Sequence, residues 1–200
     1  MSEQYFTRDP QSKSNPKTWT FELRGQILTF TSDVGVFSKG KVDFGSRTLI
    51  EAFRLPEVEG AIVDLGCGYG PIGLAIAKAY PDRQVIMGDV NQRATELSEK
   101  NAKNNKINNV KCYLSDRFEN LPDGPFASVL INPPIRTGKK MVHQMFEDAY
   151  RYLKEEGELW IVIQKKQGAP SAIKKLKTLF QEVEIVKKNK GYFVIRAKKI

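Results

Sequence analysis

The chain of 200 residues has few of the side chains that build disulfide frameworks and metal centres. It contains two cysteines, Cys67 and Cys112, without metal-ligand spacing, which favours two free thiols over a disulfide or a metal site. The single histidine, His143, falls in a helical pattern, which favours a surface or half-buried residue over a catalytic one. No apolar run is long enough to cross a membrane, and no signal peptide is recognisable. We therefore expect a cytoplasmic protein without a metal or a membrane partner.

The charge is strongly asymmetric along the chain. The net charge is +9, but residues 1–100 hold 12 Lys+Arg against 13 Asp+Glu, whereas residues 101–200 hold 20 against 10. A fold whose second half carries the whole excess is expected to show one basic face. Such a face favours a polyanionic partner, above all a nucleic acid. A lysine-rich surface that is merely solvated is the alternative explanation.

The length favours one domain over two. Residues 1–16 are polar and are predicted to form a flexible tail, followed by a single domain over 17–200. Within that domain, residues 17–58 are predicted to hold a β-hairpin that turns at an Arg-Gly pair, a glycine-rich loop and a helix. The helix is predicted over 46–55, with its first residue as the N-cap. Residues 59–200 form the predicted core.

The core sequence alternates between apolar runs and helical patterns. The apolar runs are nearly continuous, as expected of strands that are covered on both faces. The predicted strands lie near 61–65, 84–88, 110–114, 127–131, 158–163, 182–187 and 192–197. The last two surround a turn at 189–191 and are predicted to form a hairpin. The fold class is therefore α/β: a doubly wound, mostly parallel, seven-stranded Rossmann-like sheet with a C-terminal antiparallel hairpin and a small N-terminal β-hairpin extension.

A glycine-rich turn between the first core strand and its helix is the most informative motif. Residues 64–70 read Asp-Leu-Gly-Cys-Gly-Tyr-Gly and lie between an apolar run and a helical pattern. Glycines occur where the backbone needs positive φ or where a ligand must approach the main chain closely. The three glycines of the turn, at 66, 68 and 70, therefore predict a nucleotide-like ligand beside it.

Two kinds of cofactor fit such a turn. Residues 68–73 match the dinucleotide pattern G-x-G-x-x-G, and Asp89 stands where a ribose-binding acid belongs. However, Asp64 would repel a pyrophosphate, and Pro71 removes an N–H that a phosphate would use. A cationic, phosphate-free ligand such as S-adenosylmethionine avoids both conflicts. Asp116 could then accept a hydrogen bond from the adenine amine, or it could cap a helix.

A second motif, Asn132-Pro133-Pro134, follows the fourth core strand and so falls at the same edge of the sheet. Two prolines stiffen the turn and offer no N–H donor. The side-chain oxygen of Asn132 and the carbonyl of Pro133 can then bind the two hydrogens of an exocyclic amine. This arrangement favours a nitrogen lone pair that attacks a sulfonium methyl in line, by positioning and electrostatics rather than by a strong base.

Together these motifs resemble class I S-adenosylmethionine-dependent N-methyltransferases. Residues 35–38 (Gly-Val-Phe-Ser) and 42–46 (Val-Asp-Phe-Gly-Ser) narrow the resemblance to the guanine-N2 methyltransferases of small-subunit (16S) ribosomal RNA, in their short single-domain form. The resemblance covers roughly residues 19–198. It implies a monomer that uses S-adenosylmethionine and acts on ribosomal RNA or the small ribosomal subunit. The region 17–58 would then include a loop that covers the cofactor.

The resemblance also implies a role for each candidate site residue. Asn132, Pro133 and Pro134 would be catalytic, with Asn132 also next to the cofactor. The remaining cofactor-binding residues would be Phe37, Asp64, Gly66, Gly68, Gly70, Asp89, Val90, Asp116 and Arg117. Ile135 and Arg136 would contact the substrate. Many relatives have an aromatic residue where this chain has Ile135, so stacking on the target base could come from Arg136 or Phe37 instead.

Other functions stay open on the sequence alone. An adenine-N6 or protein glutamine-N5 methyltransferase would use the same Asn-Pro-Pro chemistry. An RNA-binding module with an inactive methyltransferase fold is a third possibility, and a nicotinamide dehydrogenase a fourth.

Overall fold

The computed structural model describes Arg8 and residues 11–37 and 40–200. The strands are β1 Lys17–Leu23, β2 Gln26–Ser32, β3 Ile62–Leu65, β4 Val85–Asp89, β5 Val110–Leu114, β6 Phe126–Ile131, β7 Leu153–Gln164, β8 Glu182–Asn189 and β9 Tyr192–Lys198. The helices are α1 Phe44–Ala52, α2 Pro71–Ala79, α3 Gln92–Asn104, α4 Lys139–Tyr152 and α5 Ala169–Leu179, with short 3₁₀ turns at Ile135–Thr137 and Lys165–Gln167. Most of the predicted tail, residues 1–7, 9 and 10, lies outside the described residues, as does Ser38 of the Gly-Val-Phe-Ser motif.

Seven strands form the main sheet, in the order β5-β4-β3-β6-β7-β9-β8. The first five in this order run parallel, and β9 is antiparallel to both β7 and β8. Strands β3 and β6 are buried along their whole length, which explains why their sequences are apolar except for Asp64 and Ser128. The predicted fold class is confirmed, including the C-terminal hairpin and the separate two-stranded sheet β1-β2.

Helices cover both faces of the sheet and create two apolar cores. One core includes Trp160 of β7 and Leu49 of α1, and the other includes Phe146 of α4 and Leu176 of α5. No helix in the described part of the chain is long and apolar enough to span a membrane. The parallel strands β3, β4, β5 and β6 all end at one edge of the sheet, so the turns that follow them meet there.

The N-terminal hairpin is bound to the body of the protein by side-chain amides. Asn101 of α3 accepts the N–H of Thr31 (2.8 Å) and donates to its carbonyl (3.0 Å). Asn105, one helical turn later, makes the same pair of bonds with Thr29, at 2.8 and 2.7 Å. Asn101 also donates to the carbonyl of Tyr69 in the glycine turn (2.8 Å). The hairpin is therefore connected directly to the turn that the sequence marks as a ligand site.

One boundary prediction is wrong. Helix α1 begins at Phe44, not at Ser46, and its N-cap is Asp43, whose carboxylate accepts the N–H of Ser46 at 3.0 Å. Aspartate is as good an N-cap as serine, and here its extended backbone (φ −63°, ψ 152°) fits that position. The described part of the predicted tail also has contacts: the hydroxyl of Ser14 donates to Asp33 at 2.6 Å.

Candidate active site

A cleft of about 290 Å³ opens at the sheet edge where the parallel strands end. Its walls come from the glycine turn after β3, the end of β4, the turns after β5 and β6, and the start of α1. The predicted site residues that line it are Phe37, Gly66, Gly68, Asp89, Val90, Asp116, Arg117, Asn132, Pro133 and Pro134. The structure thus brings together residues from four separate strand ends, as expected of a doubly wound sheet.

The glycine turn is held by its own backbone conformation and by hydrogen bonds from its N–H groups to nearby oxygens. Gly66 and Gly68 both have positive φ, 76° and 59°. A Cβ on Gly66 would have no atom within 4 Å, so its backbone conformation, rather than crowding, requires glycine there. The N–H groups of Gly66 and Cys67 both donate to the carbonyl of Gly88, and that of Gly70 donates to Cys67. These amides are therefore used inside the protein and are not available to a pyrophosphate.

Asp89 ends β4 at the floor of the cleft. One carboxylate oxygen accepts the N–H of Gly68 at 2.8 Å, and the other accepts the N–H of Asn91 at 2.9 Å. Burial raises the pKa of this carboxyl, and the hydrogen bonds from the backbone oppose that rise. Two N–H bonds leave further lone pairs on the carboxylate that can accept the hydroxyl groups of a ribose.

Asp64 lies behind the wall of the cleft rather than in its lining. Its Oδ2 accepts the N–H of Gly73 at 2.8 Å, while its Oδ1 is buried without a hydrogen-bond partner among the described residues. Burial raises the pKa of Asp64 to about 7, and the nearby charge of Asp89 acts in the same direction. Gly70 also lies outside the cleft lining and forms the N-cap of α2. Direct contact of either residue with a ligand stays a prediction.

Asp116 and Arg117 follow β5 and lie at the rim. Arg117 has a positive φ of 51° and directs its guanidinium to Asp148 of α4 at 3.2 Å. The same guanidinium lies 3.3 Å from the half-exposed carboxylate of Asp116. Residues 117–120 form turns rather than a helix, so Asp116 is no helix cap and its carboxylate can face a ligand.

The side chain of Asn132 is held in one orientation from behind. Its Nδ2 donates to the hydroxyl oxygen of Ser46 at 3.0 Å and to the carboxylate of Asp43 at 3.3 Å. Both residues belong to the start of α1, where Asp43 also caps the helix. With both amide hydrogens used, the Oδ1 of Asn132 is the atom that can accept a hydrogen bond from a ligand.

The two prolines complete the acceptor set. The carbonyl of Pro134 accepts both the N–H of Thr137 (2.9 Å) and its hydroxyl (2.6 Å), which closes the turn. No hydrogen bond from the described residues reaches the carbonyl of Pro133, which lies between that turn and Asn132. Two oxygen acceptors on a rigid turn therefore border the cleft.

The two predicted substrate residues lie outside the cleft. Ile135 packs against the core between the sheet, α4 and α5, and Arg136 is exposed. Phe37, by contrast, lines the cleft with 43% of its surface exposed. Among the three candidates for stacking on a target base, the structure thus places only Phe37 at the cleft. No group of His, Cys, Asp and Glu residues suited to a metal ion occurs in residues 8, 11–37 and 40–200.

Comparison with known proteins agrees with this geometry. The sequence model of the methyltransferase small domain matches residues 27–196. The chain belongs to this methyltransferase family. Members of the family use S-adenosylmethionine, so the predicted family and cofactor are both confirmed. The amides already used within the glycine turn argue in the same direction, against a dinucleotide.

Individual relatives differ in how much of their length this chain spans. It is 61% identical to the uncharacterized protein YbxB of Bacillus subtilis (strain 168), over the full length of both. It is 30% identical to ribosomal RNA large subunit methyltransferase G of Streptomyces avermitilis, over 98% of this chain and 53% of the relative. The chain therefore spans about half the length of the ribosomal RNA methyltransferases that it matches.

A solved structure shows the same fold. The 16S rRNA N2 G1207 methyltransferase (RsmC) of T. thermophilus, in complex with AdoMet and guanosine, superposes with a TM-score of 0.83. The two sequences are 24% identical, and the match covers 96% of this chain and 52% of that one. M. jannaschii TYW2, in complex with AdoMet, gives a TM-score of 0.63 at 22% identity, over 90% of this chain and 85% of that one.

The predicted site residues do not include Asp43 and Ser46. Both line the cleft and hold Asn132. A signal was present, because an aspartate three residues before a serine at a helix start is typical of an N-cap. That signal predicts the cap alone, since the contact with Asn132 spans more than 80 residues of sequence.

Proposed function

We propose that this protein transfers the methyl group of S-adenosylmethionine to the exocyclic N2 amine of a guanine in ribosomal RNA. The observation that carries the proposal is the fixed amide of Asn132, whose two hydrogens face Asp43 and Ser46. An amide held in this way presents only its oxygen to the cleft. The site is therefore built to receive a group with hydrogens to donate, such as an amine.

The chain's own residues supply position and charge. The Oδ1 of Asn132 and the carbonyl of Pro133 accept the two N–H bonds of the amine and favour a pyramidal nitrogen. The lone pair of that nitrogen forms a new N–C bond while the S–C bond of the donor breaks, and the nitrogen then loses one proton to water. Bound S-adenosylmethionine supplies the electrophilic methyl group. Asp89 and Asp116 would hold its ribose and adenine, and the closed glycine turn lets it approach the backbone.

The charge beside the cleft favours RNA as the substrate. Three segments at the carboxyl edge of the sheet, 132–141, 164–171 and 187–192, carry eight Lys or Arg residues and no Asp or Glu. The last two segments are joined by a hydrogen bond from the N–H of Lys165 to the carbonyl of Gly191 (2.8 Å). All three lie on the β6-β7-β9-β8 half of the sheet, next to Asn132. This surface, which we call the basic edge, suits the phosphates of an RNA strand.

The relatives support guanine N2 in ribosomal RNA as the target. The RsmC structure is that of a 16S rRNA N2 G1207 methyltransferase, and the S. avermitilis relative is a large-subunit ribosomal RNA methyltransferase by name. The Gly-Val-Phe-Ser and Asp-Phe-Gly-Ser segments favour the small-subunit group. We therefore propose 16S ribosomal RNA, or the small subunit that contains it, as the first substrate to test.

One observation favours a second candidate, an adenine-N6 or protein glutamine-N5 methyltransferase. Ile135 replaces an aromatic residue and packs into the core, so the catalytic turn offers no ring to stack on a guanine. The two candidates separate when the protein is incubated with labelled S-adenosylmethionine and either total RNA or protein extract. Label in N2-methylguanosine supports our proposal, whereas label only in N6-methyladenosine or only in protein overturns it.

The catalytic test is Asn132→Ala, with Asn104→Ala as the matched control because Asn104 is exposed on α3. We expect Asn132→Ala to lower methyl transfer to 16S RNA about 100-fold, as loss of one positioned polar contact does in other enzymes. Calorimetry should show that both variants still bind S-adenosylmethionine, so that the loss of rate does not reflect an empty cofactor site. Full activity in Asn132→Ala would refute the role of the amide oxygen.

A further inference from the structure

A second, smaller cavity of about 100 Å³ lies on the other side of the first turn of α4. Thr137 and Met141 line the main cleft, whereas Lys139 and His143 line the second cavity. Ile135 also lines it, only one residue beyond Pro134 in the catalytic turn. Since an α-helix with its side chains is about 10 Å wide, the two cavities are separated by roughly that distance.

The floor of this cavity is apolar and its rim is polar. Val142, Ile163 and Ala172 are buried at the floor, next to the half-buried Ile135. At the rim are the ring of His143, the amide of Gln167 and the hydroxyl of Ser171. The Ser171 hydroxyl lies 3.4 Å from the Nε2 of His143. An apolar slot with a few hydrogen-bonding groups at its mouth suits a flat heterocycle better than a bare phosphate, which would find little polar surface there.

The surface around the second cavity carries positive charge. Lys139 stands at the rim itself, and Lys165 and Lys166 are exposed in the 3₁₀ turn just before Gln167. These lysines belong to the basic edge, which is continuous with the active-site cleft. A strand that enters the cleft therefore passes the second cavity with its phosphates next to lysines.

Resting on the function proposed above, we propose that this second cavity binds the unpaired base of a nucleotide adjacent to the target guanine. A base that is extruded into the cleft leaves its neighbours unstacked, and unstacked bases in RNA are recognised by slots that combine apolar contact with edge hydrogen bonds. Gln167, Ser171 and His143 read the edge of the base, and Ile135 forms the wall on the catalytic side. Ile135, the residue that follows Asn132-Pro133-Pro134, thereby has a role in binding RNA.

Burial lowers the pKa of His143, and the charges of Lys139 and Lys175 lower it further, against the opposite effect of Glu147. The ring is therefore neutral at pH 7 and can both donate and accept a hydrogen bond. A neutral ring suits the edge of a base, while Lys139 supplies the charge for the adjoining phosphate.

The experiment compares His143→Ala and Gln167→Ala with Lys177→Ala, which removes an exposed residue near the far end of α5. The substrate is a short RNA centred on the guanine that the unchanged protein methylates, with single abasic nucleotides placed at each flanking position. We expect each cavity variant to raise the KM for RNA about fivefold, the typical effect of one lost hydrogen bond. The KM for S-adenosylmethionine and the melting temperature should stay at the values of the Lys177→Ala control.

Abasic substrates supply the decisive readout. One flanking position should raise the KM of the unchanged protein about tenfold, and that same abasic site should have a smaller effect in Gln167→Ala, where the hydrogen bond to that base is already lost. The base subsite is overturned if the abasic site raises the KM by the same factor in Gln167→Ala as in the unchanged protein. That result would show that the side chain and the base act separately. If the unchanged protein transfers no methyl group to ribosomal RNA, the proposed function itself fails. If it does so and the cavity variants match the control, only the subsite fails.

Discussion

Removing the hydroxyl of Ser46 tests most directly how the active site holds the amide of Asn132. Ser46→Ala removes the 3.0 Å bond to Asn132 but leaves the N–H of residue 46 bonded to Asp43, so the helix cap survives. A net hydrogen bond is worth about 1 kcal/mol, and an unpaired N–H costs a similar amount. Because about 1.4 kcal/mol is a factor of ten in rate, a loss of about 1 kcal/mol should lower kcat/KM for RNA about fivefold.

The assay is methyl transfer to 16S RNA at saturating and limiting RNA, together with urea unfolding and calorimetry with the cofactor. Stability should fall by about 1 kcal/mol, and cofactor affinity should not change. Thr48→Val is the matched control, since the Thr48 hydroxyl donates to Phe44 on the same helix and does not contact Asn132. In an Asn132→Ala background, Ser46→Ala should have no further effect on rate. The reasoning is refuted if Ser46→Ala keeps normal kcat/KM, or loses activity only through weaker cofactor binding.

Two further predictions concern the region behind the glycine turn. Because burial raises the pKa of Asp64 to about 7, compared with about 3.9 when unfolded, the folded protein binds an extra proton between these values and loses stability as pH rises through that window. We expect the free energy of unfolding of the unchanged protein to fall by about 3 kcal/mol relative to that of Asp64→Asn between pH 5 and pH 8. Urea unfolding without cofactor measures this, and the same pH dependence in both proteins would contradict it. Gly73→Ala would place a Cβ 2.3 Å from the sulfur of Met87, so thermal unfolding should show a loss of about 1–3 kcal/mol, whereas an unchanged melting temperature would mean that Met87 moves freely.

The sequence predicts those features of the fold that depend on local patterns. Nearly continuous apolar runs such as 126–131 indicate buried parallel strands, and the turn at 189–191 indicates the final hairpin. The rule that parallel strands end at one edge then brings Asp89 and Asn132 to a common cleft, as found. Each of these steps uses neighbouring residues or a general rule of topology, and so needs no three-dimensional information.

The parts that could not be predicted depend on where individual side chains point. The carboxylate of Asp64 turns toward the first turn of α2 because the N–H of Gly73 is available there. Ile135 turns toward the core because a 3₁₀ turn starts directly after Pro134. The contact between Asp43 and Asn132 joins residues 89 apart in the chain, and no periodicity reports such a contact.

The two asparagines that hold the N-terminal hairpin also occupy the free edge of strand β2. The backbone N–H and C=O groups of Thr29 and Thr31 lie on the edge of β2 that faces away from β1. Such an unpaired strand edge can pair with a strand of another chain. Two strand residues span about 6.8 Å and four helical residues about 6 Å, so amides at 101 and 105 match the spacing of that border. Helix α3 and its C-cap residue Asn105 thereby imitate a missing third strand with side chains alone, so the outward backbone groups of Thr29 and Thr31 are not free to pair with another strand.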